Sequence, residues 1–357
     1  MIWDEKSTSF LEKYINNSSP TGREESGQKL WRDYISEYVD QIDLDNYGTT
    51  FGIINPGQEQ RIVIEAHADE ISWFVNYISK DGFIYVVRNG GSDHEIAPGK
   101  RVNIHTKNGI VRGLFGWPAI HTRKGKNNSK PEIEKLFIDV GAKDKEEVLS
   151  MGIHVGCIIT YPDTLELMNE KYYVGRALDN RMGGFCIAQV ARLLQKNNIQ
   201  LPYSLYIVNA VQEEIGLRGA QMIAEKIKPH AAIITDVTHD TTTPMIDSKK
   251  YGDVQCGKGP SLTYGPAVHY KLLDLIIDTA EENNIPIQRE AASRSTGTDT
   301  DAFAYSNEGV PSALISLPLR YMHTTVETAH KDDIEHVIHL IYHSLRKIES
   351  NHNFRYF

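Results

Sequence analysis

Five places along this 357-residue sequence set a carboxylate or an imidazole at the end of an apolar run or just ahead of a helical pattern. His67 and Asp69 follow RIVIEA, Asp179 sits in RALDNR, and Glu213 and Glu214 follow LYIVNAVQ. Asp236 lies in AIITDV and His323 in LRYMHT. Each has a plain structural reading. A histidine at a strand end is commonly a satisfied structural residue. An aspartate before a helix is commonly its cap, and a pair of glutamates is commonly surface charge. The functional reading rests on all five places falling at the same end of successive elements. In an open α/β sheet the carboxyl ends of the strands line one crevice, so groups distant in sequence converge there.

The residue types suit a pair of divalent ions. Two ions about 3.5–4 Å apart need a carboxylate between them and further N or O donors on each. Asp179 suits the bridge, because one carboxylate oxygen can face each ion. His67 and Asp236 would complete one ion, and Glu214 and His323 the other. Two imidazoles and three carboxylates without a thiolate suit Zn, Co or Mn rather than a cysteine-rich structural zinc site. Successive residues leaving a strand point in different directions, so one of Glu213 and Glu214 can bind metal while its neighbour stays free as a general base. Asp69 can accept the second ring N–H of His67, which fixes the tautomer and raises ligand basicity.

The elements that position these groups are legible in the hydrophobic pattern. Residues 5–38 read as helix, broken by Ser-Pro-Thr-Gly. Short strands follow near 40–46 and 50–55, and RIVIEAH at 61–67 reads as a buried strand that ends on a polar site. From about 71 to 161 the segments WFVNYI, FIYVVRN, RVNIHT, IVRGLFGW, LFIDVGA and GCIITYP read as strands between Gly, Asp and Asn turns. KEEVLSMG is one short helix among them, and the basic loop at 122–130 reads as mobile and solvated. From about 173 onward helices and strands alternate, which predicts a sheet covered by helices on both faces. The reading is therefore an α/β domain split in sequence, 1–71 and 164–357, with an all-β block at 72–163 inserted into it.

Composition bounds the rest. Hydrophobic residues make up 40% and charged residues 24%, ordinary for a globular protein. The formal net charge of -9 gives no footprint for nucleic acid or an anionic membrane. No stretch approaches the roughly 18 apolar residues of a membrane span. The first residues, MIWDEKSTSFLEKYI, carry early acids and no basic-then-apolar signal. Cys157, Cys186 and Cys256 are odd in number and far apart, which argues against a disulfide framework. These features together predict a cytoplasmic protein.

AHADE at 66–70, GRALDNR at 175–181, VQEEIGLRGA at 211–220, DVTH at 236–239, GTDTDAFA at 297–304 and VPSALISLPLRYMHTTVE at 310–327 resemble the cytosolic di-metal aminopeptidases that assemble into tetrahedral dodecamers. That family includes glutamyl and deblocking aminopeptidases, and some members have been labelled endoglucanases. The resemblance runs from about Phe10 to the last helix. It implies removal of N-terminal residues from peptides, with Glu213 as base and Asp179 as bridge. It also implies a mixed sheet flanked by helices, an inserted β-barrel dimerisation domain, and dimers that can progress to dodecamers. Similar enzymes carry a cis peptide bond after the bridging aspartate, so one is expected at Asp179–Asn180. A di-metal deacylase or carboxypeptidase acting on N-acyl amino acids or short peptides could use the same cluster. A glycosidase is a poor match, since neighbouring glutamates do not flank a bond from opposite sides.

Overall fold

The structure, a computed structural model, describes residues 2–123, 130–350 and 352–357. Most of the basic loop expected at 122–130 lies outside the described residues.

Four parallel strands carry the α/β body: Ser204–Ala210, Arg61–His67, Ala231–His239 and Ser312–Arg320, side by side in that order. Thr50–Ile54 and Gln41–Leu44 extend the sheet antiparallel on one side. Glu327–His330, Tyr172–Gly175 and Glu166–Met168 extend it antiparallel on the other. Ser261–Tyr264 and Gln288–Ala291 complete an 11-stranded mixed sheet.

Strand alternation sends successive side chains to opposite faces. Ile62, Ile64 and Ala66 pack with Phe10, Trp31, Phe185, Leu272 and Ile338 from helices on one face. Val63, Val208 and Ile234 pack with Ile223 and Phe303 from helices on the other. The helices expected from the 3.6-residue period are present. They include Glu5–Asn16, opened by a reciprocal cap between Asp4 and Ser7, and the buried Leu178–Lys196. That second helix holds non-helical dihedrals at Asp179 and Asn180, and the peptide bond between them is cis, as expected from the resemblance. The Asn180 side-chain amide donates to the Thr235 carbonyl at 2.7 Å, and its oxygen accepts the Gly183 N–H at 3.2 Å. The start of the helix is thus fastened to the strand that carries Asp236.

Four strands escape the hydrophobic pattern: Glu166–Met168, Tyr172–Gly175, Ser261–Tyr264 and Glu327–His330. With three or four residues each, they are too short for a two-residue period to register.

Between Ser72 and Thr160 six strands close an antiparallel barrel, in the order Ser72–Ile78, Ile84–Asn89, Phe137–Asp139, Gly109–Phe115, Arg101–Thr106 and Ile158–Thr160. Its core of Trp73, Val75, Ile84, Val102, Ile104, Phe115, Ile138 and Ile159 is a cluster of its own. Among the described residues, no helix is long and apolar enough to cross a membrane.

Two separate cores should respond separately. Ile138→Ala, in the barrel, is expected to cost about 2–5 kcal/mol through a cavity at a fully buried site. Hydrogen exchange should then quicken across the barrel strands and stay slow in Arg61–His67.

Candidate metal centre

The parallel core delivers the candidate groups to one cleft of about 590 Å³. His67 is the last residue of its strand and pairs in register with Ala210, after which the chain turns to Glu213 and Glu214. Asp236 lies inside its strand rather than at the end, because that strand runs on to His239. His323 stands in the turn after Ser312–Arg320, in the left-handed region at φ 62°.

Asp179 is shared. Its Oδ1 lies 3.2 Å from His67 Nε2, and its Oδ2 lies 3.3 Å from His323 Nε2. Around Oδ1, His67 Nε2 is also approached by Asp236 Oδ1 at 3.8 Å and by Glu213 Oε2 at 3.9 Å. Around Oδ2, Glu214 Oε1 approaches His323 Nε2 at 3.5 Å. Two sets of donor atoms result, each within 4.8 Å of one another: His67, Asp179 and Asp236, and Asp179, Glu214 and His323. The two neighbouring glutamates thus part, one towards each imidazole.

Asp69 stands behind this arrangement. Its Oδ1 accepts the Glu213 N–H at 3.0 Å, and its Oδ2 accepts the Glu214 N–H at 3.2 Å and the Thr21 hydroxyl at 2.9 Å. His67 Nδ1 is 3.5 Å from Asp69 Oδ1, an ion-pair separation. The main hydrogen bonds of Asp69 therefore go to the backbone of the two glutamates, a role that residue spacing did not suggest.

The electrostatics show whether a divalent cation fits. Burial pushes the Glu213 carboxyl up to about 10. Burial and then the charge of Asp179 push Glu214 to about 8, and burial pushes Asp236 to about 7. Burial would depress His67, but the Asp179 and Asp69 carboxylates hold it well above its ordinary value. Burial also opposes the rise of His323, which Asp179 and Glu214 lift to about 10. For Asp179 itself, burial is outweighed by the two imidazoles, which hold it well below the carboxylate range. Close by, fully buried Glu65 is pushed by burial to about 8, and Asp299 well above its usual value. Neither makes a hydrogen bond to another type of group among the described residues. Two imidazoles therefore face a surplus of buried carboxyls, and the described residues supply no lysine or arginine ion pair to any of them. Nitrogen and oxygen donors with surplus negative charge, split around one shared carboxylate, fit divalent ions.

Residues outside the sequence-based set also shape the site. Glu65 lies two residues before His67 and so projects to the same face of the strand, a signal that period-2 alternation could have shown. Asp299 lies in GTDTDAFA, a motif whose residue types alone assign it no role. Gly91 comes from the loop after the second barrel strand, and no pattern marks it. A Cβ on Gly91 would stand 2.5 Å from His323 Nδ1.

Residues 48–340 match the M42 glutamyl aminopeptidase family. The chain belongs to that family. It is a hydrolase of peptide bonds. The lysyl aminopeptidase of Pyrococcus furiosus is 31% identical over 93% of this chain and 94% of its own length. A TET aminopeptidase from a marine-sediment Thaumarchaeota archaeon superposes with a TM-score of 0.92 at 28% identity, covering 97% of each chain. The Pyrococcus horikoshii TET1 peptidase, described as assembling into a tetrahedron or a large octahedral shell, gives a TM-score of 0.85 at 27% identity. That match covers 96% of this chain and 100% of the other.

The close approach at Gly91 gives a test of the M42 chain. Gly91→Ala is expected to displace the His323 ring and lower kcat/KM on an aminoacyl-anilide by about 10²-fold, the scale of a 1 Å misplacement. Wild-type kinetics in this variant would show that the His323 position does not matter to turnover.

Proposed function

We propose that this chain is a metal-dependent aminopeptidase that removes N-terminal residues from peptides, with two divalent ions per subunit, Zn or Co first and Mn next. The observation that carries the reading is Asp179, whose two carboxylate oxygens each face a different imidazole at 3.2 and 3.3 Å. In this reading His67 and Asp236 hold one ion, Glu214 and His323 the other, and Asp179 both. When bound, the ions would acidify the attacking water and polarise the scissile carbonyl.

The chain's own residues supply the proton transfers and the positioning. Glu213 takes the proton of the attacking water and delivers it to the leaving amine, which returns the carboxylate to its starting state. Asp69 keeps Glu213 and Glu214 apart by accepting both backbone N–H groups. The family match and the aminopeptidase relatives favour a free N-terminus over a blocked one, which separates this reading from deacylation of N-acyl amino acids. Three unpaired thiols suit the reducing cytoplasm.

Exhaustive chelation is expected to abolish hydrolysis of an aminoacyl-anilide, and Co or Zn to restore it. Glu213→Gln should keep both ions and lose about 10²–10⁴-fold in kcat, whereas Glu214→Gln should lose one ion. The reverse assignment would exchange base and ligand. Cleavage of an N-acetylated peptide at the rate of the free one would favour the deacylase reading.

The barrel is the proposed dimerisation surface, and dimers are proposed to progress to dodecamers. Its support is the exposed apolar set Tyr77, Phe83, Val87, Ile110, Leu114 and Ile120. Replacing residues 73–162 by a short linker should give a monomer of weakened activity, read by analytical ultracentrifugation. A monomeric wild type at micromolar concentration would overturn the assignment.

A further inference from the structure

One buried carboxyl reaches two of the proposed ligand residues through their backbones. Glu327 opens the strand Glu327–His330 and is 2% exposed. Its Oε2 accepts the Asp179 N–H at 3.1 Å, and its Oε1 accepts the His323 N–H at 2.8 Å. Both donors sit in irregular backbone. Asp179 breaks the helical dihedrals at φ -77°, ψ 111°, and His323 lies at φ 62°, a conformation that side chains other than glycine rarely hold without support.

We infer that Glu327 is a positioning residue that fixes the bridging carboxylate and the His323 imidazole relative to each other. The inference rests on the two-ion reading above. A single carboxylate spans two chain segments remote in sequence, the start of the Leu178–Lys196 helix and the turn after Ser312–Arg320. Moving it moves both partners of the 3.3 Å contact between Asp179 Oδ2 and His323 Nε2. His67 and Asp236 depend on it less, because both lie within strands of the parallel core. The ion held by Asp179, Glu214 and His323 is the one that Glu327 controls.

Two substitutions separate this role from general support. Glutamine keeps the length but has one acceptor oxygen, so its NH₂ group would meet a backbone N–H and one of the two bonds is lost. Aspartate keeps both acceptors but is one methylene too short to reach both donors. Metal-stripped wild type, Glu327→Gln and Glu327→Asp would each be titrated with Co(II) by calorimetry and visible absorption. Circular dichroism of the stripped proteins reports the fold. The expected result is a wild-type fold and near-wild-type affinity for the first ion. The second ion should bind about 10–100-fold more weakly, the usual effect of removing a group that orients metal ligands, with an altered absorption of the second Co(II) equivalent. Saturating Co(II) should recover much of kcat. If one variant fails to fold, the other decides. Unfolding of both, or an unchanged second-ion affinity and spectrum in the variants that fold, would overturn the inference and leave the two-ion reading standing. A wild type that takes up no second ion would overturn both.

Discussion

The carboxylate of Asp179, met by one imidazole at each oxygen, is the contact on which the arrangement of this cleft turns. Charge of one sign is gathered there on side chains that are buried or half-buried. Separate buried carboxyls raise one another's protonation, and two imidazoles cannot neutralise them all. Such a cluster is costly to bury unless a cation is supplied. A frame that holds it nonetheless has to be stiff, and the fold provides that stiffness by placing the donors on or beside the central parallel strands. The apolar layers on both faces of those strands hold their backbones by close packing.

The same logic explains the polar residues around the donors. Asp69 accepts the backbone N–H groups of both glutamates and so sets where their side chains part. Asn180 ties the start of its helix to the strand that carries Asp236. Each anchors the backbone of a donor rather than its functional atoms. Precision is therefore built into main-chain positions, and the donor atoms are left free to coordinate.

The inserted barrel has its own core, yet it is not remote from the chemistry. Its loop brings Gly90 and Gly91 against Glu214 and His323, where a Cβ would meet the Glu214 Cβ at 3.2 Å and the His323 ring at 2.5 Å. Lys100, also in the insertion, donates to the Thr325 hydroxyl at 2.7 Å, two residues beyond His323. The module that carries the proposed dimerisation surface thus also supplies a wall of the cleft.

Much of the candidate site was legible in the chain. Apolar runs such as RIVIEAH and AIITDV mark buried strands, and the coincidence of an acid or imidazole on or just after several such runs, not any one of them alone, pointed to a shared crevice. The alternation of helix and strand after residue 173, and the short β-branched segments before it, likewise carry the split α/β body and the barrel, because hydrophobic periodicity is a local property. Short strands such as Glu327–His330 escaped, since their pairing is decided by neighbours and not by their own pattern. Glu327 and Gly91 escaped for the same reason. Residue types determined which donors this protein could offer and roughly where along the fold they would lie. Which oxygen of Asp179 faces which histidine, which N–H groups Asp69 and Glu327 accept, and which glycine must stay bare beside His323 were decided only by the tertiary structure. Those are distances between segments remote in the chain, and packing alone sets them.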